Sequence, residues 1–328
     1  MSQPAAHRAR VVAFEEIAET YAAAFDPSVH AVFSSPQWLG ALPRGSVRVA
    51  VFDAGASSAF LPVTVGRRRG VPLVGNPAMT PWIEIVGGSS GSKRSAIIGD
   101  VHTSGAAIAL ALRRLGVVRL RLQRSSPSWL GFHWAGYIGN ARISYVLGGS
   151  SSDAWSAMKG KTRTAIRASA RNGLLVRPVN PAELNDVVSL FTGHAASKGF
   201  VHALRPEQLR TFVAETERNG LSTVRGAFDA EGDLVGAAFF ADDQRTRTYL
   251  VGAQNANGNR VNAMAGLLWS AIEETLDGGK TFDFEGSMLR GVEEFVRAFG
   301  GEQFVDVTVV WIPRPHGASV ALRRVLSR

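Results

Sequence analysis

Thr281–Glu302 reads TFDFEGSMLRGVEEFVRAFGGE. Thr281–Phe284 has the apolar character of a short buried strand. It carries Asp283 and, two residues on, Glu285, a spacing that turns both carboxylates to one side of an extended chain. Gly286-Ser287 stops the strand, and Gly291–Phe299 resumes as a helix. Open α/β sheets hold ligands beyond the carboxyl ends of strands, where loops meet helix N-termini. Glu285 is there placed to orient or deprotonate an attacking amine. The other reading of these carboxylates is local: pairing with Arg290 or Arg297, or capping of the next helix.

Upstream, the elements alternate in type. Leu174–Val179 is a strand, Pro181–Gly199 and Pro206–Arg218 contain helices, and Thr223–Asp229, Leu234–Ala241 and Arg247–Ala253 form a meander. Asn262–Leu276 is a strongly apolar helix, and Phe304–Ile312 a final strand. Helices mixed with a meander argue for an α/β (α+β) module with a largely antiparallel sheet. The first half repeats this order more weakly. A helix over residues 13–26 is followed by strands Val47–Phe52 and Ala59–Val65. A hairpin with the basic tip Arg67–Arg69, a helix Ala106–Leu115 and strands Val117–Leu122 and Ile143–Leu147 complete it. No sequence repeat accompanies the repeated order, and Gly148–Ser152 reads as a linker. The division expected is 1–148, 149–313 and a basic tail, 314–328.

Asp153–Asn172, which includes most of WSAMKGKTRTAIRASARNG (Trp155–Gly173), reads as one helix closed by Gly173. Lys159, Arg163, Arg167 and Arg171 recur every fourth residue and so share a face, with Lys161 beside them. Like charges at this spacing repel unless an anion neutralises them. Phosphate would do so, and Arg offers it two parallel donors. The alternative is a solvated basic face. Tyr249 lies near the centre of an apolar strand. Gln254–Val261 (QNANGNRV), with Asn259 and Arg260, leads into a helix whose free N–H groups can bind phosphate.

The chain has 328 residues, net charge +9 and a pI near 10.5. That balance favours an anionic partner such as a nucleotide cofactor or RNA. It has no cysteine, which excludes disulfides, thiolate metal sites and a Cys nucleophile. Its seven histidines show no metal-ligand spacing, and neither GxSxG nor a P-loop occurs. No metal is expected. The N-terminal MSQPAAHRAR lacks the apolar core of a signal peptide, and the apolar run Ala106–Leu112 is too short to span a bilayer. The expected location is cytoplasmic, with contact to a membrane surface allowed.

Lys159–Val176 (KGKTRTAIRASARNGLLV), the FDFEGSMLRGVEEFVRAFGGE segment and Phe33–Leu39 (FSSPQWL) resemble segments of the FemABX-type transferases, within the wider GNAT group. The resemblance implies two tandem GNAT-like modules, each a mixed, largely antiparallel sheet flanked by helices, and acyl transfer to an amine. In the FemABX members the donor is aminoacyl-tRNA and the acceptor a peptidoglycan precursor. In ordinary GNAT enzymes the donor is acyl-CoA, held by a Q/R-x-x-G-x-G/A loop, a pattern QNANGNRV does not keep. The implied roles are catalytic for Glu285, Asp283 and Tyr249, and donor phosphate binding for Lys161, Arg163, Arg167, Asn259 and Arg260. Backbone N–H groups near Phe239–Ala241 and Tyr249–Val251 would polarise the carbonyl. The implied co-substrate is acyl-CoA or aminoacyl-tRNA, and the acceptor a small-molecule or cell-envelope precursor, with no DNA. A reading of another class is a non-catalytic RNA- or anion-binding protein on the same fold.

Overall fold

The β-branched and aromatic runs of the first half form strands covered on both faces, with successive residues buried at 49–52 and 59–61. The computed structural model describes residues 9–54, 57–89, 93–124, 128–199 and 202–313; the basic tail expected at 314–328 lies outside them. By its internal contacts the chain divides into a first unit, up to Ala141 together with the residues from Asp306, and a second unit, Arg142–Val305.

The elements of the first half are β1 (Arg10–Ala13), α1 (Phe14–Ala24), α2 (Pro36–Gly40), β2 (Arg48–Ala54), β3 (Ser57–Arg68), β4 (Val71–Gly75), β5 (Val86–Gly87), α3 (Arg94–Leu112), β6 (Val117–Arg121) and α4 (Trp129–Trp134). β7 (Ile138–Leu147), α5 (Ser151–Ala157), α6 (Gly160–Arg171), β8 (Leu175–Pro178), α7 (Leu184–Ser197), α8 (Pro206–Arg218) and β9 (Ser222–Phe228) follow. The chain continues with β10 (Leu234–Asp242), β11 (Thr246–Gln254), α9 (Ala256–Val261), α10 (Ala263–Asp277), β12 (Thr281–Asp283), α11 (Arg290–Arg297) and β13 (Glu302–Trp311).

In the first unit the strands run β1-β2-β3-β4-β6-β13, with β5 added to β3. The pairs are antiparallel except β4 with β6. Leu61, Val63, Val74, Val118, Leu120 and Val309 meet Ile108 and Leu112 of α3 and Phe132 of α4 in its core. α4 sits directly on α3: a Cβ on Gly131 would lie 2.4 Å from the His102 carbonyl, so only glycine fits there.

In the second unit the order is β7-β12-β11-β10-β9-β8, antiparallel except β11 with β12. Its core gathers Phe240, Phe282, Phe284 and Phe299 with Leu267, Leu268 and Ile272 of α10. Both sheets are therefore mixed, largely antiparallel and helix-flanked, as expected.

Three local readings need correction. The helix read as continuous over Asp153–Asn172 is two helices, broken at Met158–Lys159 where both residues are extended. The polar turn Gln254–Val261 contains the helix α9, and Asn262 bends the chain into α10 with φ 58. The apolar run Ala106–Leu112 is the end of a longer helix. Starting at Arg94, α3 has the length and composition to cross a membrane, the one such helix among the described residues, yet only 28% of that window is buried.

Candidate functional site

The β11–β12 ladder begins at Thr246–Thr281 and stops at Thr248–Asp283, while β11 runs on to Gln254. Beyond Thr248 the two parallel strands part. β10, by contrast, keeps its register with both neighbours through Phe239–Ala241, apart from a bulge that inserts Leu250 opposite Phe239/Phe240. Of the two stretches expected to polarise a carbonyl, Phe239–Ala241 lies within the paired β10, and Tyr249–Val251 borders the opening between β11 and β12.

At the mouth of this opening the chain turns sharply. Asp283 is 4% exposed, and its Oδ1 accepts from Ser144 Oγ at 2.8 Å and from the Glu285 N–H at 2.9 Å. An aspartate that accepts the N–H two residues on makes a local turn that competes with the extended chain. Glu285 accordingly leaves the strand for left-handed backbone at φ 59, and Gly286 follows at φ 79. The alternation expected to place both carboxylates on one side therefore ends at Asp283. Gly286 has no substitute: a Cβ would stand 2.1 Å from the Ile143 carbonyl oxygen.

Arg142, at the start of the second unit's β7 segment, fixes the turn. Its Nη2 donates to Glu285 Oε1 and Oε2 at 3.2 and 3.1 Å and to the Gly286 carbonyl at 2.8 Å. Glu285 keeps 23% of its side chain exposed, so the carboxylate is braced yet reachable. The local partners expected for it, Arg290 and Arg297, pair with Glu294 and Glu293. Glu293 also accepts from Tyr145 Oη at 2.6 Å. The Arg297 guanidinium, with that phenol, holds the Glu293 carboxyl below its usual range. These bonds tie α11 to β7.

Phe299-Gly300-Gly301 closes the segment for steric reasons. A Cβ on Gly300 would lie 2.8 Å from Ala157 backbone, and one on Gly301 3.0 Å from the Val146 carbonyl. The Lys159 N–H donates to the Ala298 carbonyl at 3.0 Å, docking this turn on the α5–α6 break.

Tyr249 is one residue beyond the last β11–β12 pair. Its ring packs on Phe240 at 5.9 Å, and burial pushes the phenol's pKa upward, so it is a neutral donor at ordinary pH. Its hydroxyl lies over Gly252, where a Cβ would be 2.1 Å away.

The expected phosphate-binding cations divide. Arg163 Nη1 donates to the carbonyls of Trp155 at 3.1 Å, Ser156 at 3.1 Å and Met158 at 2.5 Å, satisfying the end of α5. Arg167 stacks over the Trp155 ring at 5.3 Å. Lys161 and Arg171 are exposed. At α9, Asn259 Oδ1 accepts from Gln254 Nε2 at 2.8 Å, and Arg260 donates to Asn257. The Met264 N–H, among the first of α10, donates to Gln254 Oε1 at 3.1 Å. Asp283 and Glu285 are thus brought together. Tyr249 follows Thr248, the ladder partner of Asp283, while the α6 cations and the α9 turn lie on other elements of the same unit. Arg142 and Ser144 are the residues sequence reading missed; Arg142 is 143 positions from Glu285, and its only local signal is a cation beginning an apolar strand.

No group of three or more His, Asp or Glu fit to hold a metal occurs among the described residues.

Two units of the same strand order, each with one parallel pair near its centre, make this a tandem GNAT-like fold. No family model and no curated protein sequence matches the chain. Among solved structures, it is similar to the C-terminal domain of a putative lysylphosphatidylglycerol synthetase from Agrobacterium fabrum. That match has a TM-score of 0.58 and 14% identity, covering 95% of this chain and 96% of that one. FemX gives a TM-score of 0.56 at 9% identity over 86% of this chain and 91% of its own. A tandem GNAT protein from the clavulanic acid biosynthesis pathway gives 0.50 at 11% identity, covering 94% and 99%.

Proposed function

We propose that this protein is an N-acyltransferase, moving an acyl or aminoacyl group from an activated donor to an amine acceptor, a cell-envelope or metabolite precursor. The observation that carries the reading is the parting of β11 and β12 at Thr248–Asp283, with the braced carboxylate of Glu285 at its mouth. The donor carbonyl enters between the strands, where backbone N–H groups of β11 beyond Thr248 stabilise negative charge on its oxygen. The acceptor amine attacks that carbon; a C–N bond forms and the ester C–O or thioester C–S bond breaks. Glu285 accepts the proton lost by the amine, directly or through water. The departing oxygen or sulfur takes a proton, for which the neutral Tyr249 phenol is a donor of the right kind.

The donor is acyl-CoA or aminoacyl-tRNA. Two facts favour aminoacyl-tRNA: the Met264 N–H is already engaged by Gln254, and the Asn259 and Arg260 side chains are engaged within their own turn. A phosphate held at the start of α10 would have to displace these bonds. Lys161, Arg167 and Arg171 remain for a phosphate-bearing donor.

Calorimetric titration with acetyl-CoA and a longer acyl-CoA, then with charged and uncharged tRNA, tests this. Saturable binding of charged tRNA, weakened in Lys161→Ala/Arg167→Ala and followed by transfer to an amine, is expected. Binding of tRNA with steep salt dependence, indifferent to charging and without turnover, would instead make this a non-catalytic RNA-binding protein.

A further inference from the structure

The exposed side of α3 lacks what a solvated helix face carries. Ser104, Gly105, Ile108, Ala109 and Leu112 are buried against the first unit's core. The opposite side, from Thr103 through Ala106, Ala107 and Leu110 to Ala111, holds no charge at all. Leu110 is 49% exposed. Charged residues normally occupy the outer face of a surface helix. α4 extends this face: Trp134, 63% exposed, lies edge-on to His102 at 5.3 Å. The glycine-mediated contact at Gly131 seats α4 firmly, so the indole is presented rather than loose.

Apart from Asp100, which shares the side of Ala107 and Ala111, charge is confined to the ends. Lys93 and Arg94 stand exposed at the start of α3 and Arg114 just past its end. Between Asp100 and Asp153 the sequence has no acidic residue, and Asp100 itself accepts a hydrogen bond from Ser89 at 3.1 Å. An apolar helix face with cations at both ends and an exposed Trp beside it has the design of a helix that lies in a bilayer interface. A second copy of the chain fits less well. Pairing two α3 faces, in either direction, sets the basic ends of one helix against those of the other, and like charges oppose association.

We propose that the outer face of α3 and α4 docks this protein on an anionic lipid surface, with Leu110 at the acyl boundary and Trp134 at headgroup depth. The inference is independent of the transfer reaction. The test is co-sedimentation of the full chain with phosphatidylcholine vesicles and with vesicles that also contain phosphatidylglycerol. Binding to the anionic vesicles only, falling as salt is raised, is expected. The Leu110→Glu/Trp134→Glu variant should bind about tenfold more weakly or worse, with circular dichroism checking its fold. Should it fail to fold, quenching of tryptophan fluorescence by brominated lipid, compared between wild type and Trp134→Phe, gives the same answer: a quenched component should vanish with Trp134. Absence of vesicle binding, or binding and quenching untouched by these changes, overturns the proposal. Concentration-dependent dimers dispersed by the same variants, without vesicle binding, would overturn it too and assign the face to a second copy.

Discussion

Glu285 sits at φ 59, a conformation that costs a non-glycine residue about 1 kcal/mol or more. The Asp283 carboxylate and the Arg142 guanidinium hold it there. Replacing Glu285 by Gly relieves the backbone and removes the carboxylate. In urea unfolding, the variant is expected within about 1 kcal/mol of wild type, because the lost Arg142 contact is offset by the relieved turn. Transfer should nonetheless fall by about 100-fold or more, the scale of a general base. Full activity in Glu285→Gly would remove Glu285 from the chemistry. Gly286→Ala tests the support rather than the group. Its Cβ would meet the Ile143 carbonyl at 2.1 Å in left-handed backbone, and destabilisation of about 3 kcal/mol or more is expected from the same measurement. At this scale the sequence was half legible. The Asp-x-Glu-Gly spacing marks the place, because a carboxylate two residues before a strand end is a local signal. Arg142 and Ser144 reach it only through the β7–β12 pairing, which no local pattern announces.

Among the elements, the α5–α6 break shows how a charge pattern misleads. Four cations at four-residue spacing read as a ligand face, yet Arg163 turns back to three carbonyls at the end of α5. Removing it leaves those acceptors short of a donor, so Arg163→Ala should cost about 1–3 kcal/mol. The solvated Lys161→Ala should stay within about 0.5 kcal/mol of wild type. Urea midpoints for the two variants separate the roles, and equal midpoints would return Arg163 to the ligand face. A second element carries a pH signature. Arg177 donates to both oxygens of Glu183, at 2.9 and 2.6 Å, in the turn that opens α7. This guanidinium, followed by the Asn180 N–H, holds the Glu183 pKa down to about 2, against an ordinary value of 4.5. A depressed carboxyl contributes stability that is complete above about pH 4.5 and is lost as pH falls through about 2. The pair is partly solvated, so Glu183→Gln should cost about 1 kcal/mol or less at neutral pH. The gap between variant and wild type should close on titration to pH 2; a gap constant with pH would deny the pairing.

At the scale of the molecule, the two strand orders correspond member for member. β1-β2-β3-β4-β6-β13 matches β8-β9-β10-β11-β12-β7, and the parallel pair falls at the same place in each. The repeat of element order was readable from hydrophobic periodicity, since each strand and helix leaves its own period in the sequence. The sixth strand of each sheet was not. β6 in the first unit pairs with the chain's last described strand, and β12 in the second with β7, so each sheet is completed by residues remote in sequence. Asp306 marks that closure in the first unit. It is 2% exposed and accepts from Arg121, itself buried, and from Arg124 Nε at 3.0 Å. Removing the carboxylate leaves a guanidinium in the interior with its anion gone, the situation in which a buried pair costs about 3–5 kcal/mol. Asp306→Ala should therefore loosen β4, β6 and α3. β9, β10 and β11, whose ladders contain no partner of Asp306, should keep their protection. Hydrogen exchange read segment by segment checks this. Uniform loss of protection through both groups of strands would mean that the closing strand governs the fold of the entire chain, whereas loss confined to the first group makes Asp306 the latch of the first sheet alone.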